Sequence, residues 1–143
     1  MMRKLFLAAV FSVCPLELLA ADGHAGESLY FRMGGAPVVA RVVDQLLELS
    51  TTDPRTSRSF EKVNMKRLRE KLNEQICALG KGPCEYTGDS MKDVHAGLDI
   101  TEAEFYGLVE HLRVALDGNG VRQREKNELL EVLAPMKRDT VTK

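Results

Sequence analysis

His95 is the side chain around which chemistry could be organised. It lies in Ser90-Met91-Lys92-Asp93-Val94-His95-Ala96-Gly97-Leu98, where Met91, Val94, His95 and Leu98 recur at helical spacing and share one face. No nearby Asp, Glu or Cys completes a zinc site with it. Two readings of such a histidine stand side by side. It is either a packed, hydrogen-bonded core residue, or the axial ligand of a buried haem iron, which needs one imidazole and an apolar cavity rather than a cluster of ligands. Phe60, Met65, Leu68, Leu72, Ile76, Phe105 and Val109 would line that cavity, and each is also what an ordinary helical core uses. His111 falls on a face with Leu108 and Leu112 and reads as packed or hydrogen-bonded, whereas His24 lies in the N-terminal tail.

The elements that must position His95 are all helical, because every apolar pattern has the helical period and none alternates over a strand's length. Gly34-Gly35-Ala36-Pro37 opens a helix reaching about Ser50, with Val39, Val42, Val43, Leu46 and Leu47 on one face, and Thr51-Thr52-Asp53-Pro54 interrupts it. Asn64 is a good N-cap for a helix carrying Met65, Leu68, Leu72, Ile76 and Leu79, which Gly80-Lys81-Gly82-Pro83 ends. Ser90 and Asp93 suit a capping box for the short histidine helix, whose length Gly97 limits. Thr101 and Glu104 suit another, opening a helix with Phe105, Leu108, Val109, Leu112 and Leu116 inward, as far as Asp117-Gly118-Asn119-Gly120. A last helix carries Leu129, Leu130, Leu133 and Met136. The expectation is an all-α domain of four substantial helices and a short one, without internal repeats or a linker.

Composition narrows the functions open to it. Twenty basic against twenty-one acidic residues in 143 give a net charge of −1, without the positive field that duplex nucleic acid demands. Arg3 and Lys4 precede the apolar run Leu5 to Phe11, and small residues follow at Ala20-Ala21, so residues 1–21 read as a secretory signal and residues 22–143 as the mature domain. The apolar run is far short of the ~20 residues of a bilayer span. Lipoprotein processing at Cys14 is the minor alternative. The expected location is the periplasm, with no membrane contact in the mature form. There, Cys77 and Cys84, seven apart, either close a disulfide or remain one buried and one exposed thiol.

The order of features resembles a known family. Leu29-Tyr30-Phe31-Arg32-Met33-Gly34-Gly35, the Gly80-Lys81-Gly82-Pro83 break, Tyr86-Thr87-Gly88, and above all Met91-Lys92-Asp93-Val94-His95-Ala96-Gly97-Leu98-Asp99-Ile100-Thr101 are similar to group I truncated haemoglobins, and Gly107 to Leu112 with His111 follows in order. The likeness extends from Ser28 to Val141. It implies an all-α, two-over-two globin-like helical sandwich around haem b, with His95 as proximal iron ligand and Phe60 packed on the porphyrin. Met65, Leu68, Lys71, Leu72, Ile76, Tyr86, Met91, Lys92, Val94, Ile100, Phe105 and Val109 complete the expected cofactor contacts, Lys92 pairing with a propionate.

The ligand side departs from the family's pattern. The positions where that family usually presents a tyrosine and often a glutamine hold Leu47 and Leu72, which with Phe60 and Leu68 form the expected distal pocket. Dioxygen held there forgoes a charge-assisted hydrogen bond of ~1.5–3 kcal/mol, whereas carbon monoxide and nitric oxide lose much less. Gln45 and Gln75 are expected, by helical phase, to point elsewhere. Lys71 directly precedes Leu72, where some members of the family bring a sixth iron ligand. Its simpler roles are solvation or a salt bridge to a propionate. The resemblance implies reversible binding of dioxygen or another diatomic gas by a monomer. The alternatives are haem-dependent redox turnover of nitric oxide or peroxide, fed by a separate reductase, and a module that senses or transfers haem.

Overall fold

The computed structural model describes residues 27–143, and among them every regular element is helical. The leader assigned to residues 1–21, with Cys14, and His24 lie outside the described residues. A single turn, α1 (Leu29–Arg32), buries Leu29 and Tyr30 and runs through Gly34, in the left-handed region at φ 109°, into α2 (Gly35–Thr52). Pro37 sits in the first turn of α2, where its missing N–H has no intrahelical partner to lose. Val38, Val39, Val42 and Val43 are mediocre helix formers, each short of alanine by roughly half a kcal/mol. Val39, Val42, Val43, Leu46 and Leu47 are nevertheless buried, and each gains about 1.5–3 kcal/mol by leaving water. Packing therefore decides the helix. It runs two residues beyond Ser50 because the Thr51 and Thr52 hydroxyls donate back to the carbonyls of Leu47 and Glu48, both at 2.8 Å, and it stops at Asp53, which Pro54 forces into extended geometry.

A 3-10 turn (Ser57–Phe60) leads to α3 (Met65–Leu79), whose Asn64 cap accepts from the Arg67 N–H at 3.0 Å. α4 (Met91–His95) is short, as expected. Gly97, at φ 73°, takes the chain out of the helix in a conformation that a side chain resists. α5 (Glu102–Gly118) opens with the complete Thr101–Glu104 capping box, while at α4 only half of the box forms, Ser90 accepting from the Asp93 N–H. The expected last helix is divided into α6 (Gln123–Leu133), a 3-10 turn (Ala134–Met136) and α7 (Lys137–Thr140). Pro135 supplies no N–H and crowds the preceding turn, so the helix tightens there.

α2 is the central element and packs mainly on α5 and α3, while α1 closes the end against α2, α3 and α6. Val43, Ala115, Leu116 and Leu129 are sealed from solvent. The fully buried Glu125 is matched by Arg32 at 3.4 Å and Arg122 at 3.0 Å, which spares it the cost of an unpaired interior charge. Cys77 and Cys84 are joined in a disulfide, Cα atoms 5.8 Å apart, which ties the end of α3 to the loop that follows. Gly82 permits that closure: a Cβ there would lie 2.6 Å from the Cys77 sulfur and 2.7 Å from the Tyr30 ring. No helix among the described residues is long and apolar enough to cross a membrane.

Candidate functional site

His95 is the last residue of α4, and its Nδ1 lies 2.7 Å from the carbonyl oxygen of Met91, one turn back. A carbonyl only accepts, so Nδ1 carries the proton and donates. The Nε2 lone pair is left for another partner. Among the described residues no hydrogen bond engages Nε2, and the ring borders a largely apolar cavity of about 300 Å³. A donor hydrogen-bonded through one ring nitrogen and open at the other is the arrangement of a metal-ligating imidazole.

The cavity brings together His95, Phe60, Leu68, Lys71, Leu72, Tyr86, Met91, Val94, Ile100 and Phe105, and on its α2 side Leu47. Four residues expected at the cofactor do not line it. Ile76 is buried in the core cluster, against which Met65 packs, and Val109 is half-buried outside the cavity wall. Ile76 lies eight residues after Leu68, a rotation that carries it from the cavity face to the α2 side. Lys92 is exposed on the outer side of α4, one residue out of phase with Met91. Gln75 is the opposite correction. It is seven residues after Leu68, almost in phase with it, and it lines the cavity as a buried side chain. Gln45 does point elsewhere, accepting from the Asn119 amide at 2.9 Å. Leu46, Leu98 and Leu108 also contribute to the wall, their helical spacing marking apolar faces without saying which neighbours they would share, and Val63 joins them from the bend before α3.

Most polar groups in the wall are committed to other partners. The Thr56 hydroxyl donates to the Ser50 carbonyl at 2.7 Å and the Tyr86 hydroxyl to the Asp89 carbonyl at 2.9 Å. Ser59 donates to Glu104 at 2.9 Å. Burial would raise the Glu104 carboxyl, but Arg58, the Thr101 N–H and hydroxyl, and Ser59 outweigh it and hold the group at about 2. Arg58 also donates to the carbonyls of Leu98 and Asp99, at 3.2 and 3.1 Å, pinning the turn after α4. Lys71 is bracketed by Glu74 at 2.8 Å and the Thr87 hydroxyl at 2.6 Å. The hydrogen bond from Lys71, together with the Thr87 N–H, lowers the Glu74 carboxyl to about 2. His111 is held at both ring nitrogens, by Ser50 at 3.1 Å and Asp53 at 3.0 Å, as expected of a hydrogen-bonded interior histidine.

No group of three or more His, Cys, Asp or Glu among the described residues is placed to hold a bare metal ion. The donor set suits a metal that arrives with its own equatorial ligands, as in a porphyrin. The apolar wall suits a flat hydrophobic macrocycle, and Arg67 at the cavity would offer a cation to its acidic substituents.

A helical sandwich closed over a single imidazole and an apolar cavity is the architecture of a truncated, two-over-two globin. Comparison with known proteins agrees. A family model described as bacterial-like globin matches residues 28–142. A group 1 truncated haemoglobin of Mycolicibacterium paratuberculosis is 36% identical over 115 residues, covering 80% of this chain and 85% of the relative. One from a Nostoc species is 30% identical over 110 residues, covering 77% and 93%. Among solved structures, truncated haemoglobin from Tetrahymena pyriformis in the Fe(III) form superposes with a TM-score of 0.78 at 23% identity, covering 82% of this chain and all of that one. THB1 from Chlamydomonas reinhardtii gives 0.68 at 28%, covering 82% and 98%. The chain belongs to the bacterial-like globins and, within them, to the group 1 truncated haemoglobins. Membership implies a haem cofactor and a diatomic ligand.

Proposed function

We propose that the protein binds a diatomic gas reversibly at a haem b iron that His95 would ligate. The observation that carries this reading is the His95 ring: Nδ1 donates to Met91, Nε2 has no hydrogen bond among the described residues, and the residue lines the cavity. The haem supplies an iron that binds small π-acceptor molecules. This chain's residues orient the imidazole, exclude water with Leu47, Phe60, Leu68 and Leu72, and keep Lys71 in its bracket with Glu74 and Thr87. A pocket walled mainly by leucine and phenylalanine discriminates by what it withholds. Dioxygen, the ligand that gains most from a donor, gains least here, so carbon monoxide and nitric oxide are favoured relative to it.

Replacing His95 by Ala is expected to abolish stable haem retention while the helical circular dichroism persists. Unchanged haem content and Soret band in His95→Ala would refute the assignment. The reading also places the protein outside the cytoplasm, on the leader-like pattern of residues 1–21. The Cys77–Cys84 disulfide suits an oxidising compartment. Mature protein isolated from cells is expected to begin near Ala21 or Asp22 and to fractionate with periplasmic markers. N-terminal sequencing that returned Met1 on cytoplasmic protein would contradict the export reading and leave the haem reading untouched.

A further inference from the structure

We infer that Gln75 is a positioning residue for His95, acting through Met91; the inference rests on His95 as the iron ligand. Gln75 is a buried amide in an otherwise apolar stretch of cavity wall, where its desolvation demands compensation. Its Nε2 lies 3.3 Å from the sulfur of Met91 and 3.8 Å from the sulfur of Met136. One amide nitrogen thus ties α3 to the first residue of α4 and to the 3-10 turn before α7.

Met91 is the residue whose carbonyl oxygen takes the His95 Nδ1 proton at 2.7 Å. Its side chain answers to Gln75 and its backbone to the imidazole, so the place of Met91 sets the direction in which Nε2 points. Besides this tie, α4 is held by its packing on α7 and by the Arg58 hydrogen bonds to the turn that follows it. It is five residues long, none of them buried, and Gly97 and the left-handed Asp99 follow it closely. A helix of that length has no stability of its own in water. A leucine at 75 would fill the volume but leave the thioether without a donor and α4 with one tie fewer. The amide is therefore placed where orientation, rather than burial, is at stake.

The test uses the haem-loaded protein and compares Gln75→Leu, Met91→Leu and the double variant. The readouts are the iron–imidazole stretching band of the ferrous protein in resonance Raman and the rate of haem transfer to an apoglobin acceptor. Each single variant is expected to shift or broaden the band and to speed haem transfer about tenfold, the low end for an outer-shell partner. The double variant is expected to be no worse than the worse single, because both remove one tie. Gln75→Asn, which keeps the amide but falls short of the sulfur, is expected to resemble Gln75→Leu. A band and transfer rate unchanged in both single variants, or losses that add in the double, would overturn the role of Gln75. If Gln75→Leu fails to fold, Met91→Leu alone decides, since it removes the acceptor and keeps the amide. Absence of any iron–imidazole band in the unmodified protein would instead overturn the ligation by His95 on which the inference stands.

Discussion

Leu47 sits on the cavity side of α2, 3% exposed, and a hydroxyl placed there would face whatever gas occupies the pocket. Leu47→Tyr is expected to slow dioxygen release. One hydrogen bond of ~1.5 kcal/mol lowers the off-rate about tenfold, provided the phenol fits beside Leu72. Stopped-flow measurement of the dioxygen off-rate checks it, with carbon monoxide as the ligand that should change little. An off-rate already slow in the unmodified protein would point to a donor within the present wall. Single residues were legible to unequal degrees. His95 stood out because an imidazole on a short apolar face has few uses. The expectation that Gln75 points elsewhere by helical phase fails because seven residues bring it almost back into phase with Leu68, and the amide lines the cavity. Lys71 was legible as a position but not as a contact: its partner Thr87 comes from a loop sixteen residues away in sequence.

At the scale of elements, caps and breakers were read well and loop closures less so. Asn64, Thr101 with Glu104, and Gly97 act where the sequence placed them, since a cap is a contact within one turn. The disulfide stood as one of two alternatives, because seven residues of separation permit a bridge without requiring one. The division of the last helix at Pro135 was passed over in favour of its apolar period. Glu104 carries a testable consequence for α5. Its folded value of about 2 lies below the ordinary 4.5, so its contribution is complete above pH 4.5 and is lost as pH falls toward 2. Glu104→Gln is expected to lose on the order of 2 kcal/mol near pH 7, and to show a shallower loss of stability between pH 4.5 and 2 than the unmodified protein. Urea unfolding followed by circular dichroism near pH 7 and pH 3 measures both. Equal acid slopes in the two proteins would remove Glu104 from the account.

For the whole molecule, the all-α class followed from periodicity, with α2, α3, α5 and α6 each burying an apolar face, while the two-over-two sandwich followed from the family resemblance. The cavity did not follow from it. Phe60 and Leu68 line the space while also packing against the core, whereas Met65 packs against the core without reaching the cavity and Ile76 lies within the core, and that division is made by tertiary packing rather than by any local signal. The central claim is that this sandwich holds a haem b on His95 with one axial position open. An absorption spectrum of the purified protein, recorded with and without dithionite, tests it most directly. The account predicts a Soret band and a five-coordinate, high-spin ferrous spectrum after reduction. A six-coordinate low-spin ferrous spectrum, or protein that takes up no haem at all, would contradict it.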